Sequence, residues 1–328
     1  MQKYLIKAFC ISVLLFEGIN FSIFIIKKHQ LSHTQKTSNF DSELGWNMNN
    51  IQWMEYNDIG IRSNLSKVKI TNLPLNKIIF LGNSVVSGNA VELDNTFVKI
   101  FEKNLNHKEV KYHVINCGLP GYEIYQEFKK YYRDLSDIKV DYLIWVPSPF
   151  DFKTKRQAKY DIQTTSEIQN ISIPSDESIC YFGYNLISAE VENNKRKISD
   201  SFIWSEHQLL YTRALLQNIP EYKFTDMRNE IIQLNSYLKQ RSVKLIVLFI
   251  PPQHYCRNYS FSNSIPYNKL MCFLDSNKID NINLFDKLPC NEKDIFVDCT
   301  HFNALGHQFV GNLLYKEFEK MKLKLDSI

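Results

Sequence analysis

Ile78-Ile79-Phe80-Leu81-Gly82-Asn83-Ser84-Val85-Val86-Ser87-Gly88 opens with four apolar residues that run into a glycine, after which the polarity changes abruptly. A short apolar run closed by a turn signal reads as a buried strand in the middle of a parallel sheet. Beyond Gly88, the residues Thr96, Phe97, Val98, Ile100, Phe101 and Leu105 have helical spacing. The stretch 82–88 is therefore a strand-to-helix turn. In an open α/β sheet, ligands bind outside the carboxyl ends of the strands, where such a turn sits. Ser84 stands at its tip, near the unpaired N–H groups of a helix start, which favour negative charge and so a developing oxyanion. Neither phosphate-binding fingerprint fits: Gly88 is followed by Asn89 rather than Lys, and no Gly-x-Gly-x-x-Gly occurs. Two readings of the turn remain, a nucleophilic serine and a helix capped by Ser84 or Ser87.

The far end of the chain bears on that choice. Asp298-Cys299-Thr300-His301-Phe302-Asn303-Ala304-Leu305-Gly306-His307 places a carboxylate three residues before a histidine, just ahead of an apolar helical run. That spacing lets Asp298 accept from one imidazole nitrogen while the other faces outward as a base. A serine hydrolase needs this pair and Ser84 to meet in space.

With these residues in view, the chain resembles the SGNH (GDSL-type) hydrolases. Gly82-Asn83-Ser84 matches their first block, with Asn where Asp is usual. Asn116-Cys117-Gly118-Leu119-Pro120-Gly121-Tyr122 is similar to the second, whose last glycine supplies an oxyanion N–H. Asp298-x-x-His301 with Phe302-Asn303 and Gly306-His307 is close to the fifth. The segments 41–46 and 57–62 resemble the lead-in of membrane-attached bacterial members. The resemblance covers roughly Lys77 to the C-terminus. It implies a flavodoxin-like three-layer α/β/α sandwich with a central parallel sheet, with Ser84, His301 and Asp298 as the triad. Backbone N–H groups of Ser84 and Gly121 would bind the oxyanion. The implied activity is ester hydrolysis, with O-acetyl groups of a cell-envelope saccharide as a family-level expectation. Acyl transfer to a saccharide hydroxyl by the same triad is a second expectation, and non-catalytic carbohydrate binding a third.

One block departs from the pattern. The third should end in an Asn that donates to the oxyanion, but in Tyr142-Leu143-Ile144-Trp145-Val146-Pro147-Ser148-Pro149-Phe150-Asp151 that position is Phe150. Losing one such donor costs about 2.7–4 kcal/mol in the transition state. Ser148 is the nearest stand-in.

With 328 residues, 44% of them hydrophobic, the chain is long enough for one enlarged α/β domain plus an anchor. A net charge of +4 without a basic, aromatic-interleaved stripe gives no argument for a nucleic-acid partner, and none is expected. Seven cysteines leave at least one unpaired, and no Cys-x-x-Cys occurs. They read as small buried side chains rather than metal ligands, and no cofactor is implied. Residues 8–26 are mostly apolar between lysine pairs, which reads as an uncleaved N-terminal transmembrane signal anchor over 1–28, with a peripheral amphipathic helix or a cleaved signal as the alternative. Residues 29–76 read as a polar linker that becomes ordered near Trp46, Trp53 and Tyr56, and 77–328 as the hydrolase-like domain. Within it, strands are expected at 77–81, 112–116, 140–146, 243–250 and 282–285, and helices at 95–105, 124–135, 227–240 and 304–321. Alternation of this kind builds a parallel sheet with right-handed crossovers. It breaks down over 152–222, a long insertion on the carboxyl side of the third strand that reads as a substrate-recognition cap or a surface excursion. Four basic residues, Lys153, Lys155, Arg156 and Lys159, read as a solvated charge run. His254 is placed in a loop and His307 in the structure rather than the chemistry. The expected partners are a small-molecule or saccharide ester and the membrane, with an extracytoplasmic domain implied by the resemblance.

Overall fold

The computed structural model describes residues 38–107, 109–148, 151, 221–253, 256, 265–290, 294–298 and 300–325. The anchor expected at 1–28, Phe150, His254 and all of the 152–222 insertion except its last two residues lie outside them. Among the described residues no helix is long and apolar enough to cross a membrane.

A hairpin of β1 (Asn39–Asp41) and β2 (Gly45–Asn47) comes first, followed by α1 (Lys67–Asn72). The central sheet is built from β3 (Asn76–Gly82), β4 (Tyr112–Gly118), β5 (Tyr142–Trp145), β6 (Lys244–Phe249) and β7 (Asp280–Asn283). All five strands are parallel, in the order β4-β3-β5-β6-β7. This is the flavodoxin-like order, in which the first core strand lies inside and the chain reverses direction beside it. Both faces are covered. Residues alternate across a strand, so Ile78 and Phe80 of β3 point to one face and Ile79 and Leu81 to the other. The Ile78 face packs against α3 (Phe97–Leu105) and α7 (Ala304–Leu325). The Ile79 face packs against α4 (Ile124–Lys130, continued as a π-turn to Leu135), α5 (Glu221–Lys239) and α6 (Ile265–Ser276). The result is the expected three-layer α/β/α sandwich.

Helix α6 was not foreseen, although Tyr267, Leu270 and Leu274 share one helical face and are fully buried. The larger correction concerns the boundary drawn at residue 77. Leu44, Trp46, Met48, Ile51, Met54, Tyr56, Ile61 and Ile70 join the core on the Ile79 face. From Ser38 onward the lead-in belongs to the domain; its many Asn and Ser residues hide the signal because they serve the turns between these buried side chains.

Candidate active site

The strand-to-helix turn delivers Ser84 as the first residue of a single helical turn, α2 (Ser84–Ser87 in chain order between β3 and α3). The cap is Asn83, whose side-chain oxygen accepts from Val85 N–H at 3.0 Å. Neither Ser84 nor Ser87 has that role, so the Ser84 hydroxyl is left for other work. The turn is held from outside. Arg62, itself buried, donates to the carbonyls of Ser87 at 2.7 Å, Gly88 at 2.8 Å and Val91 at 2.7 Å, and pairs with Glu55 at 2.9 Å. Carbonyls at the end of a helical turn carry partial negative charge, which a guanidinium fork meets well. Tyr56 bonds Ser87 Oγ at 2.6 Å and donates to the Gly118 carbonyl at 2.9 Å. Burial pushes the Tyr56 phenol up to about 12, so it stays a neutral donor. Asn116 donates to Val86 O at 2.9 Å. Gly118 is there for close approach: a Cβ on it would lie 2.0 Å from Ser87 N.

The opposite arm is more local. Asp298 Oδ1 accepts from the backbone N–H groups of His301 at 2.8 Å and Thr300 at 2.9 Å. Its Oδ2 stands 2.7 Å from His301 Nδ1. With Nδ1–H donating to the carboxylate, Nε2 remains an acceptor, and it lies 2.9 Å from Ser84 Oγ. Burial by itself would raise the Asp298 pKa, but the imidazole and the two N–H donors together hold it well below the ordinary carboxylate range. Asp298 therefore stays an anion, able to orient the imidazole and stabilise its protonated form. Ser84 and His301 are both buried. Residues 217 apart in the chain thus meet within hydrogen-bond reach.

Gly121 sits in the tight turn Leu119–Tyr122, closed by Tyr122 N–H to Leu119 O at 3.1 Å, with φ of 76°. That left-handed backbone suits glycine. Leu119 N–H donates to Gly82 O at 3.0 Å, which ties this turn to the end of β3 just before Ser84. Trp46 covers it, donating from Nε1 to Pro120 O at 3.1 Å, with its ring 3.0 Å from where a Cβ on Gly121 would lie. On the other flank, the Ser148 N–H is taken by Asp151 Oδ2 at 2.6 Å, so only the Ser148 hydroxyl could serve as a substitute oxyanion donor. Asp151 is fully buried, and burial, with Glu123 close by, raises its pKa to about 7.

His307 is structural, as expected: its Nδ1 accepts from Phe97 N–H at 3.1 Å. Of the cysteines, Cys256 and Cys290 form a disulfide, Cys117 is buried and Cys272 exposed. The pairing is one that the cysteine count left open. Among the described residues no cluster of His, Cys, Asp and Glu is arranged to hold a metal ion.

No protein-family model matches the chain, and no curated protein matches it in sequence. Solved structures do match in shape. One is the acetyl xylan esterase AlAXEase, at 13% identity over 73% of this chain and 98% of that one, with a TM-score of 0.41. Another is a lipase/acylhydrolase from Enterococcus faecalis, at 13% identity, 75% and 97% coverage and a TM-score of 0.43. A third is Axe2, an acetylxylan esterase from Geobacillus stearothermophilus, at 11% identity, 74% and 93% coverage and a TM-score of 0.43. Each is an ester-cleaving enzyme by name. Scores and identities this low transfer neither family nor activity, and the chemistry rests on the Ser84–His301–Asp298 geometry.

Sequence reasoning named Ser84, Asp298, His301 and Gly121 but missed Arg62, Tyr56 and Trp46 as their supports. The hint for Arg62 was its place in the lead-in motif 57–62; nothing local in the sequence tied it to Ser87.

Proposed function

We propose that the chain is a serine ester hydrolase of the SGNH type. The observation that carries this is the unbroken path from Ser84 Oγ to His301 Nε2, and from His301 Nδ1 to Asp298, at 2.9 and 2.7 Å. Ser84 attacks the ester carbon as His301 takes its proton. Asp298 holds the imidazole in the right tautomer and stabilises the imidazolium. The Ser84 and Gly121 N–H groups receive the oxyanion. His301 then protonates the departing alcohol, and water activated by the same imidazole releases the acid. A positioned base of this kind is worth about 10²–10⁴-fold in rate. The Cys256–Cys290 disulfide supports a domain that works in an oxidising compartment, the extracytoplasmic side of a membrane to which residues 1–28 would anchor it.

The test is a fluorophosphonate probe with p-nitrophenyl acetate as substrate. Ser84 is expected to carry the label, and Ser84→Ala to lose both label and hydrolysis. Labelling that survives Ser84→Ala would point to another nucleophile and end this reading.

A further inference from the structure

Leu75, Val110 and Leu323, exposed by 37%, 51% and 70%, stand together at the amino ends of the strands, the end of the sheet away from Ser84. Tyr112 is what they share. It opens β4 two residues after Val110, and it pairs in register with Asn76, the residue after Leu75. Lys322, next to Leu323 near the end of α7, donates to the Tyr112 hydroxyl at 3.2 Å, with its ammonium 5.3 Å from the centre of the ring. Exposed apolar side chains that gather in one place, rather than singly, mark a contact surface.

Positive charge gathers at the same end. The turns that feed β4, β5, β6 and β7 (106–111, 136–141, 239–244 and 276–280) and the last residues of α7 (320–325) hold ten Lys and Arg against four Asp and Glu. That excess is larger than the net +4 of the whole chain, so the rest of the chain is net negative. Some of these charges are matched on the spot, as Lys244 is by Asp280 at 2.7 Å. Those beside the apolar tips are not: Lys111 and Lys322 are held by the Asn106 carbonyl and the Tyr112 hydroxyl instead of by a carboxylate.

We propose that this end of the domain docks on an anionic bilayer surface. The apolar tips enter the boundary between headgroups and acyl chains, and the lysines around them meet the negative headgroups. A second copy of the chain fits less well, because a two-fold contact would lay one basic face on another. A purely ionic partner, such as an acidic polymer, leaves the apolar tips without a role. The docking sets the direction of the active site. Leu75 precedes the amino end of β3 and Ser84 follows its carboxyl end, so Ser84 opens to water on the side away from the lipid. Esters presented from the aqueous side reach it; esters held in the same bilayer do not. The proposal goes beyond the hydrolase reading and stands on the surface alone.

The experiment is hydrogen–deuterium exchange of the full chain with vesicles of phosphatidylcholine alone, or of phosphatidylcholine and phosphatidylglycerol in equal parts. Segments 106–111 and 320–325 are expected to exchange several-fold more slowly with the anionic vesicles. Leu305, 40% exposed at the other end of α7 and about 27 Å from Leu323, marks the control segment, which should not change. The protection should fade in about 1 M salt, where the Debye length is about 3 Å. Val110→Asp and Leu323→Asp, both at exposed positions, should each restore fast exchange at their own segment. Equal protection by phosphatidylcholine alone, protection at the Leu305 end instead, or none in either mixture would overturn the proposal. So would protection that grows with protein concentration without vesicles, which would assign the face to a second copy, or equal protection by poly-glutamate, which would assign it to an acidic polymer.

Discussion

Ser84 and His301 stand 2.9 Å apart, yet the segments that deliver them are held by different means. The nucleophile turn depends on groups from elsewhere in the chain. Arg62 and Tyr56 reach it from 25 and 31 residues away, Asn116 and Gly118 from β4, and none of these is supplied by the turn itself. The Asp298–His301 turn largely holds itself: one carboxylate accepts both backbone N–H groups and the imidazole N–H within three residues. A bridge between Phe296 and Phe302 closes its base, and their rings stack at 4.6 Å. One reactive group is thus positioned by tertiary contacts and the other by its own short sequence. The difference teaches where each arm is vulnerable.

The sharpest way to test the self-contained arm is Asp298→Asn. The amide keeps the shape but disturbs the imidazole tautomer, so kcat is expected to fall about 10⁴-fold with the fold preserved, read by steady-state kinetics and circular dichroism. Retention of most of the activity would mean that this carboxylate does not orient His301.

Next is the externally held arm. Arg62→Met removes the guanidinium and leaves the Ser87, Gly88 and Val91 carbonyls without it, with Glu55 held only by the Leu93 N–H among the described residues. Leaving a buried carbonyl acceptor without its donor costs about 1–3 kcal/mol. A misplacement of the turn by about 1 Å costs about 10²-fold in kcat. Denaturant melts and kinetics at a temperature where the variant is folded separate the two effects. If kcat holds while stability drops, Arg62 supports the fold and not the nucleophile's position.

A smaller effect is expected from the disulfide, which joins Cys256, beyond the Pro251 end of β6, to Cys290, ahead of the Asp298 turn. Reducing it, or Cys256→Ser with Cys290→Ser, should lower stability by about 2–4 kcal/mol, measured by thermal melts with and without reductant. Identical melts would show that the Asp298 arm owes nothing to the cross-link.

The last prediction concerns pH. Burial, with Arg62 and His301 nearby, lowers the His307 pKa from 6.5 to about 3. Between those values the unfolded chain binds a proton that the folded one refuses, so His307 makes stability fall as pH drops from 6.5 towards 3. Asp151 acts in the opposite sense. Its folded pKa, raised from 3.8 to about 7, makes stability fall as pH rises across that window. His307→Gln should therefore leave the slope of Asp151 and of its neighbour Glu127, whose carboxyl burial likewise pushes up, and its melting temperature should lose less than the wild type's between pH 6.5 and 5. An unchanged pH profile would mean that His307 does not resist protonation in the folded state.

How much of this was legible in the sequence follows from the same contrast. The apolar run 78–81, the turn after it and the Asp298–His301 spacing are local patterns, and local patterns can be read from one chain. They led to the parallel sheet and to Ser84, Asp298 and His301, while the three layers came from what the resemblance implies. In the lead-in, ordering was legible at Trp46, Trp53 and Tyr56, but Leu44, Met48 and Ile51 are scattered among turn residues with no helical or strand period. Helix α6 was missed although its face is periodic. The disulfide was out of reach, since seven cysteines permit many pairings.

By itself, then, the sequence determined the alternation of strands and helices, the Ser84 turn and the geometry within Asp298–His301, because hydrophobic period and short-range hydrogen bonds decide these. Tertiary structure alone decided that Ser84 faces His301 and that Arg62 and Tyr56 brace the nucleophile. Those depend on how close-packed side chains from distant segments fill one volume, and no single stretch of chain encodes that.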